Sequence, residues 1–226
     1  MSYFITGTDT NVGKTLISCA LLHGFAAQGW RVVGMKPVAA GCNVDGQNDD
    51  LLYLRAASNV SASDESMNPY CFALAVAPHL AAQFAGASIN FDRIKEAFSK
   101  LAAQADMVIV EGAGGLLVPL GVEQDSSGLM RQLGLPVILV VGMRLGCLNH
   151  ALLTVEAIAA RGLTLAGWVA NVLDADMAML DENIASLRQR IGAPLLGVVP
   201  YQPLPDAREV ATWLDLPLLE RIGSHD

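Results

Sequence analysis

Aromatic residues make up only 6% of the 226-residue chain and charged residues only 16%. Lysine and arginine total 14 against 22 aspartate and glutamate, a formal net charge of -8. That shortage of positive charge is the wrong sign for gripping phosphate backbones, so nucleic acid is excluded as an expected partner. Long hydrophobic runs are also missing. The stretch Pro136-Val137-Ile138-Leu139-Val140-Val141 falls well short of the roughly 20 residues that span a bilayer, so no membrane partner is expected. Cys19, Cys42, Cys71 and Cys147 include no C-x-x-C pair, and His23, His79, His150 and His225 are equally scattered, which argues against a zinc framework. Four reduced thiols in a cytoplasm are the expectation. The opening residues Met1-Ser2-Tyr3-Phe4-Ile5-Thr6 put no basic region ahead of an apolar run, and no export signal is expected.

What is present is hydrophobic: 53% of residues, enough for a sizeable core in one domain covering 1–226. Short Val- and Ile-rich runs alternate with stretches of helical period, the pattern of repeated βαβ units. The expected fold is α/β: one doubly wound domain with a mainly parallel central sheet flanked by helices. Strands are predicted at Tyr3 to Thr6, Arg31 to Met35, Met107 to Val110, Val137 to Val141, Ala166 to Ala170 and Leu196 to Val199. Helices are predicted at Lys14 to Ala27, Asp49 to Ala57, Phe91 to Gln104, Gln124 to Leu133, Asn149 to Ala160 and Leu180 to Ile191, with a short one from Ala207 to Trp213. Val60 to Ser88 fits the alternation least, and reads as an irregular excursion or an extra edge helix.

Directly after the first strand stands Gly7-Thr8-Asp9-Thr10-Asn11-Val12-Gly13-Lys14-Thr15, followed by an apolar helix. This is a phosphate-binding loop in its strand-loop-helix setting. Backbone N–H groups face an anion, Lys14 reaches the β- and γ-phosphates, and the Thr15 hydroxyl ligates Mg²⁺. Five residues rather than four separate Gly7 from Gly13, so the loop is enlarged by one. A nucleoside triphosphate is the implied ligand.

Other strand ends deliver polar groups to the same edge. Met107 to Val110 ends in Glu111, whose carboxylate suits a second Mg²⁺ contact, and Gly112-Ala113-Gly114-Gly115 let the backbone approach phosphate or substrate. The second strand delivers Lys36, held extended by Pro37, for a transferring phosphoryl group. Asp49 and Asp50 open a helix, either as capping acids or as a Mg²⁺ contact. Gly142 to His150 is either a plain connection or a carboxylate site built from backbone N–H groups. Asn171, Pro200 and Tyr201 are placed to line a base pocket.

These motifs, with Lys36-Pro37-Val38, Asn68-Pro69-Tyr70, Ala77-Pro78-His79, Val110-Glu111-Gly112-Ala113-Gly114-Gly115, Gly146-Cys147-Leu148-Asn149-His150 and Gly167-Trp168-Val169-Ala170-Asn171, resemble the dethiobiotin synthetases of the P-loop NTPase superfamily along nearly the whole chain. The enlarged loop is that family's own form. The resemblance implies a Mg²⁺-dependent, cytoplasmic homodimer that carboxylates and cyclises 7,8-diaminononanoate with CO₂ and ATP. It assigns Thr15, Asp50 and Glu111 to Mg²⁺, and Lys14 and Lys36 to catalysis at the γ-phosphate and carbamate. Asn11, Val12, Gly13, Leu16, Gly112, Ala113 and Gly114 would complete the nucleotide site. Asn171, Val172, Pro200, Tyr201 and Gln202 would take the adenine side. Thr10, Lys36 and Gly146 to Asn149 (Gly146, Cys147, Leu148, Asn149) would take the substrate.

Three positions depart from the family. Ala40 replaces a hydroxyl residue, with Thr10 or a water as the expected substitute; Ala75 replaces a proline; and Asn183 stands where some members carry a tyrosine that reaches substrate across the dimer. The rival class is the switch ATPases of partition and division. Their loop has a second lysine where this chain has Asp9, and they dock on membranes through a basic amphipathic helix that is not apparent here.

Overall fold

The computed structural model describes residues 1–222, and His225 lies outside them. Eight strands are described: β1 (Ser2–Gly7), β2 (Val32–Met35), β3 (Val38–Ala40), β4 (Tyr70–Phe72), β5 (Met107–Glu111), β6 (Val137–Met143), β7 (Leu165–Val172) and β8 (Leu195–Val199). The helices are α1 (Lys14–Ala27), α2 (Asp49–Ala57), α3 (Asp64–Met67), α4 (Pro78–Phe84), α5 (Phe91–Ala102), α6 (Ser126–Leu133), α7 (Cys147–Ala160), α8 (Leu180–Arg190), α9 (Ala207–Ala211) and α10 (Leu216–Ile222). No helix of the described residues is long and apolar enough to cross a membrane.

Six strands form one sheet in the order β2-β5-β1-β6-β7-β8, and every neighbouring pair is parallel. Its strands are apolar on both faces, as a sheet covered by helices on each side requires. In β1, Tyr3 and Ile5 join a core with Ile17, Leu21 and Phe25 of α1, while Phe4 between them joins Ile94 and Leu101 of α5 on the opposite face. β5 repeats the alternation, Met107 and Ile109 against Val108 and Val110. A third core gathers Leu139, Val141, Trp168 and Ala170 with Ile184 and Leu187 of α8.

All six predicted strands are present, most extended by a residue or two, and the α1 and α2 boundaries coincide with the prediction. Elsewhere the limits shift: α5 ends at Ala102, α6 begins at Ser126, α7 begins at Cys147, α8 ends at Arg190 and α9 ends at Ala211. The excursion from Val60 to Ser88 holds α3, β4 and α4. β4 pairs with β3 in a separate parallel ribbon.

That ribbon overturns one expectation. Cys42 and Cys71 are joined by a disulfide with Cα atoms 6.0 Å apart, leaving Cys19 and Cys147 as free, buried thiols. The parallel register puts Ala40 opposite Phe72, and the Cys42 amide donates to the Phe72 carbonyl at 3.0 Å. Two cysteines remote in sequence thereby come within the separation that a disulfide spans.

Candidate active site

A parallel sheet ends all its strands on one edge, and open α/β sheets bind ligands there. The loop after β1 is set by close packing. Gly13 has φ of 91° as the cap before α1, and a Cβ on it would lie 2.2 Å from the Asn171 amide nitrogen. Only glycine fits both conditions. Asn171 Nδ2 donates to the Val12 carbonyl at 2.9 Å, so the end of β7 holds the loop from behind.

Five polar side chains converge beside that loop. Lys36 Nζ donates to Asp50 Oδ2 at 2.8 Å and to Glu111 Oε1 at 2.6 Å. The Thr15 hydroxyl lies 2.9 Å from both Asp50 Oδ1 and Glu111 Oε1. Lys14 Nζ donates to the Asp9 carbonyl at 3.1 Å. Lys14, Lys36 and Glu111 are buried. Burial, reinforced by repulsion from Lys36, lowers the Lys14 ammonium to about 8, against the pull of Glu111, Asp50 and Asp9. For Lys36 burial also acts downward, but Glu111 and Asp50 outweigh it and hold the ammonium above its ordinary value. Burial would raise the Asp50 carboxyl, yet Lys36 and the Thr15 hydroxyl carry it below the usual range.

The choice between Asp49 and Asp50 is decided by the helix start. Asn48 is the cap of α2, its Oδ1 accepting from the Asp50 amide at 3.1 Å. Asp49 is left exposed while Asp50 faces the lysine. A hard divalent cation takes oxygen ligands, and Thr15, Asp50 and Glu111 offer only oxygens. Glu111 Oε2 is buried without a hydrogen-bond partner, an expensive arrangement unless a cation completes it. The residues therefore fit Mg²⁺.

These groups border a cavity of about 930 Å³, lined also by Thr10, Ala113 and Gly114 and walled by Val38–Ala40 and by residues 75–78. Ala40 leaves that wall apolar where the family resemblance implies a hydroxyl. A second cavity of about 210 Å³ adjoins it through Asn11 and Gly13, with Leu16, Asn171, Val172, Pro200, Tyr201 and Gln202 in its lining. All the residues assigned to the adenine side thus meet in one place.

Gly112 turns its amide into the sheet, donating to the Ile5 carbonyl at 3.0 Å, while its carbonyl lies 3.4 Å from Lys36 Nζ. Gly146 caps α7 with φ of 94°, but Gly146 to Asn149 do not line the main cavity, and the Cys147 side chain is buried in the core beside β6. Asn183 Nδ2 turns back to the Met179 carbonyl at 2.7 Å. Sequence reasoning missed Asn48 and Arg144. The first stood in plain view as a capping residue two positions before Asp50. The second pairs with Asp9 across the loops after β1 and β6, Nη2 to Oδ2 at 2.6 Å.

Comparison with known proteins gives the family. The family model described as an AAA domain matches residues 1–208. A protein of Nitrosospira multiformis named ATP-dependent dethiobiotin synthetase BioD is 55% identical, covering 98% of this chain and 96% of the relative. Its namesakes in Aromatoleum aromaticum and Ralstonia nicotianae are 57% and 52% identical, each over 96% of this chain and 97% of the relative. Among solved structures, the MinD cell division protein of Aquifex aeolicus superposes with a TM-score of 0.59 at 13% identity, covering 100% of this chain and 98% of that one; so remote a likeness shows the shared fold alone. With the P-loop fold and half or more of its residues identical to these enzymes over nearly its whole length, the chain belongs to the ATP-dependent dethiobiotin synthetases.

Proposed function

We propose that this chain converts 7,8-diaminononanoate, CO₂ and ATP to dethiobiotin, ADP and phosphate. CO₂ forms a carbamate on one amine, the carbamate takes the γ-phosphoryl group of ATP, and the second amine displaces phosphate to close the ureido ring. The observation that carries this reading is the cluster of buried Lys14, Lys36 and Glu111 with half-buried Thr15 and Asp50, lining a cavity with an apolar wall. A triphosphate needs the cations, and a hydrocarbon diamine suits the wall.

Phosphoryl transfer asks mainly for alignment and charge neutralisation. Lys14 sits on the phosphate loop to meet the γ-phosphate. Lys36 stands between that loop and the apolar wall, where it would neutralise the carbamate as it attacks. Mg²⁺, held by Thr15, Asp50 and Glu111, supplies further neutralisation of the β- and γ-phosphates when bound. The phosphoryl-transfer step itself requires no general base, because the carbamate oxygen is already anionic; the protons lost by the two amines leave in carbamate formation and ring closure. Thr10 lines the same cavity and takes the polar role that Ala40 cannot.

The substrate's carboxylate is assigned to the backbone N–H groups of Gly146 to Asn149 at the start of α7. Because these do not line their own protomer's main cavity, the assignment calls for a homodimer in which one protomer's α7 completes its partner's site. Exposed Leu145 and Leu153 at that helix provide apolar surface for such a contact. The enzyme works in the cytoplasm on small molecules, with neither nucleic acid nor membrane as partner.

Phosphate release from ATP and Mg²⁺ with bicarbonate, with and without the diamine, tests the proposal when the organic product is followed by mass. The expected product is the diamine plus CO₂ minus water. Hydrolysis indifferent to the diamine, with no new product, would overturn the assigned reaction.

A further inference from the structure

The disulfide ties β4 to the residue two positions beyond β3, the strand that walls the main cavity. β3 and β4 pair at three positions, Val38 with Tyr70, Ala39 with Cys71 and Ala40 with Phe72. Ala39 and Ala40 line the cavity itself. Beyond the strands, two backbone bonds continue the ribbon, from the Gly41 amide to the Leu74 carbonyl at 3.1 Å and from the Cys42 amide to the Phe72 carbonyl at 3.0 Å. A two-stranded ribbon this short is marginal without additional support. Val38, Tyr70 and Phe72 pack the ribbon into the core; the cross-link adds a covalent tie at its end, and its 29-residue separation encloses Asn48 and Asp50.

We propose that Cys42 and Cys71 are a redox modification site, oxidised by small-molecule disulfides and reduced by dithiols, whose oxidised form anchors the substrate wall. The inference rests on the cytoplasmic placement proposed above, because a protein disulfide in a reducing compartment is transient or redox-sensing rather than a permanent staple. Cys71 is the entry point, being part-exposed where Cys42 is buried. Its thiolate attacks one sulfur of the small disulfide and expels one thiolate. The Cys42 thiolate then attacks the Cys71 sulfur of the mixed disulfide and expels the second. One small disulfide takes two electrons and, with the two protons released, leaves as two thiols while the protein gains one S–S bond.

Anchoring a loop in its bound conformation removes an ordering cost from binding. The oxidised enzyme should therefore show a diamine KM lower by roughly two- to tenfold, with kcat for the committed complex little changed. It should also melt roughly 5–10 °C higher than the reduced enzyme, as closure of a loop of this length implies.

The test equilibrates the full-length enzyme with either oxidised glutathione or dithiothreitol. Non-reducing peptide mapping then looks for the Cys42–Cys71 link, and hydrogen exchange follows residues 41–48. The expected result is a linked peptide formed by oxidised glutathione and lost with dithiothreitol, with slower exchange in the linked state. Cys42→Ser and Cys71→Ser should exchange at the reduced rate under both conditions and show one diamine KM. A protein that stays unlinked, stops at a glutathione adduct, or exchanges equally in both states would overturn the proposal. Mapping and exchange need no turnover, so an enzyme inactive on the diamine would count against the assigned reaction and leave the redox site to stand or fall on its own data.

Discussion

Lys36 is the residue on which the site's charge balance turns. It is buried and bonded to two carboxylates, one of them buried with it. Removing one partner of such a group leaves uncompensated charge, which costs on the order of 3 kcal/mol. Lys36→Met should therefore lower stability by about that amount in EDTA, with part of the loss recovered on adding Mg²⁺, as read by urea unfolding. Turnover should fall about 10²–10³-fold, the usual effect of removing one preorganised charge-stabilising contact. A variant as active as the parent would remove Lys36 from the chemistry. Lys14 carries a second prediction. Its ammonium is held at about 8, so the free enzyme is charged at that position below pH 8 and progressively neutral above it. The kcat/KM for ATP should decline above about pH 8, while bound phosphates favour the charged form and move the limb in kcat upward. A kcat/KM profile flat to pH 10 would contradict this.

At the scale of elements, Asn48 links a helix start to the site. Its side chain accepts from the Asp50 amide and also reaches the Ala40 carbonyl at 3.4 Å, so it joins α2 to the cavity wall. Asn48→Ala should cost about 1 kcal/mol of stability, as the loss of a cap does, and should raise the Mg²⁺ concentration needed for half-maximal activity. Asn48→Asp keeps an accepting oxygen and should restore the stability. This contact also marks the limit of what the sequence discloses. Lys36, Glu111 and Thr15 are legible because each ends a strand or opens a helix in a parallel sheet, and that topology sends every strand end to one edge. The ribbon of β3 and β4 is not legible, since strands of three residues display no period. The partnership of Cys42 with Cys71 is hidden with it, because spacing does not determine which cysteines meet. The Arg144–Asp9 pair is hidden for the same reason: two loops adjoin only once β6 lies beside β1.

For the whole molecule, the site is built where elements meet the sheet edge, Lys14 and Thr15 opening α1, Asp50 opening α2, Glu111 ending β5 and Lys36 following β2, on a sheet whose central strands are buried on both faces. β1 carries the phosphate loop and is flanked by β5 and β6, so ligand binding at that loop is transmitted to the centre of the core rather than to its edge. Anything that binds only the folded state stabilises it in proportion to the logarithm of its concentration, about 2.7 kcal/mol at a hundredfold excess over Kd. For a chain of this size that corresponds to a rise in melting temperature of roughly 5–10 °C. ATP with Mg²⁺ at saturating concentration should produce such a rise, and, on the proposed assignment of Mg²⁺ to Asp50 and Glu111, EDTA should remove most of it. Glu111→Gln, which keeps the size of the side chain but not its charge, should bind ATP with little dependence on Mg²⁺. If calorimetry shows the full rise in EDTA, or in the Glu111→Gln enzyme, then the acids serve only to hold Lys36, and the metal must be held by the phosphates and Thr15 without them.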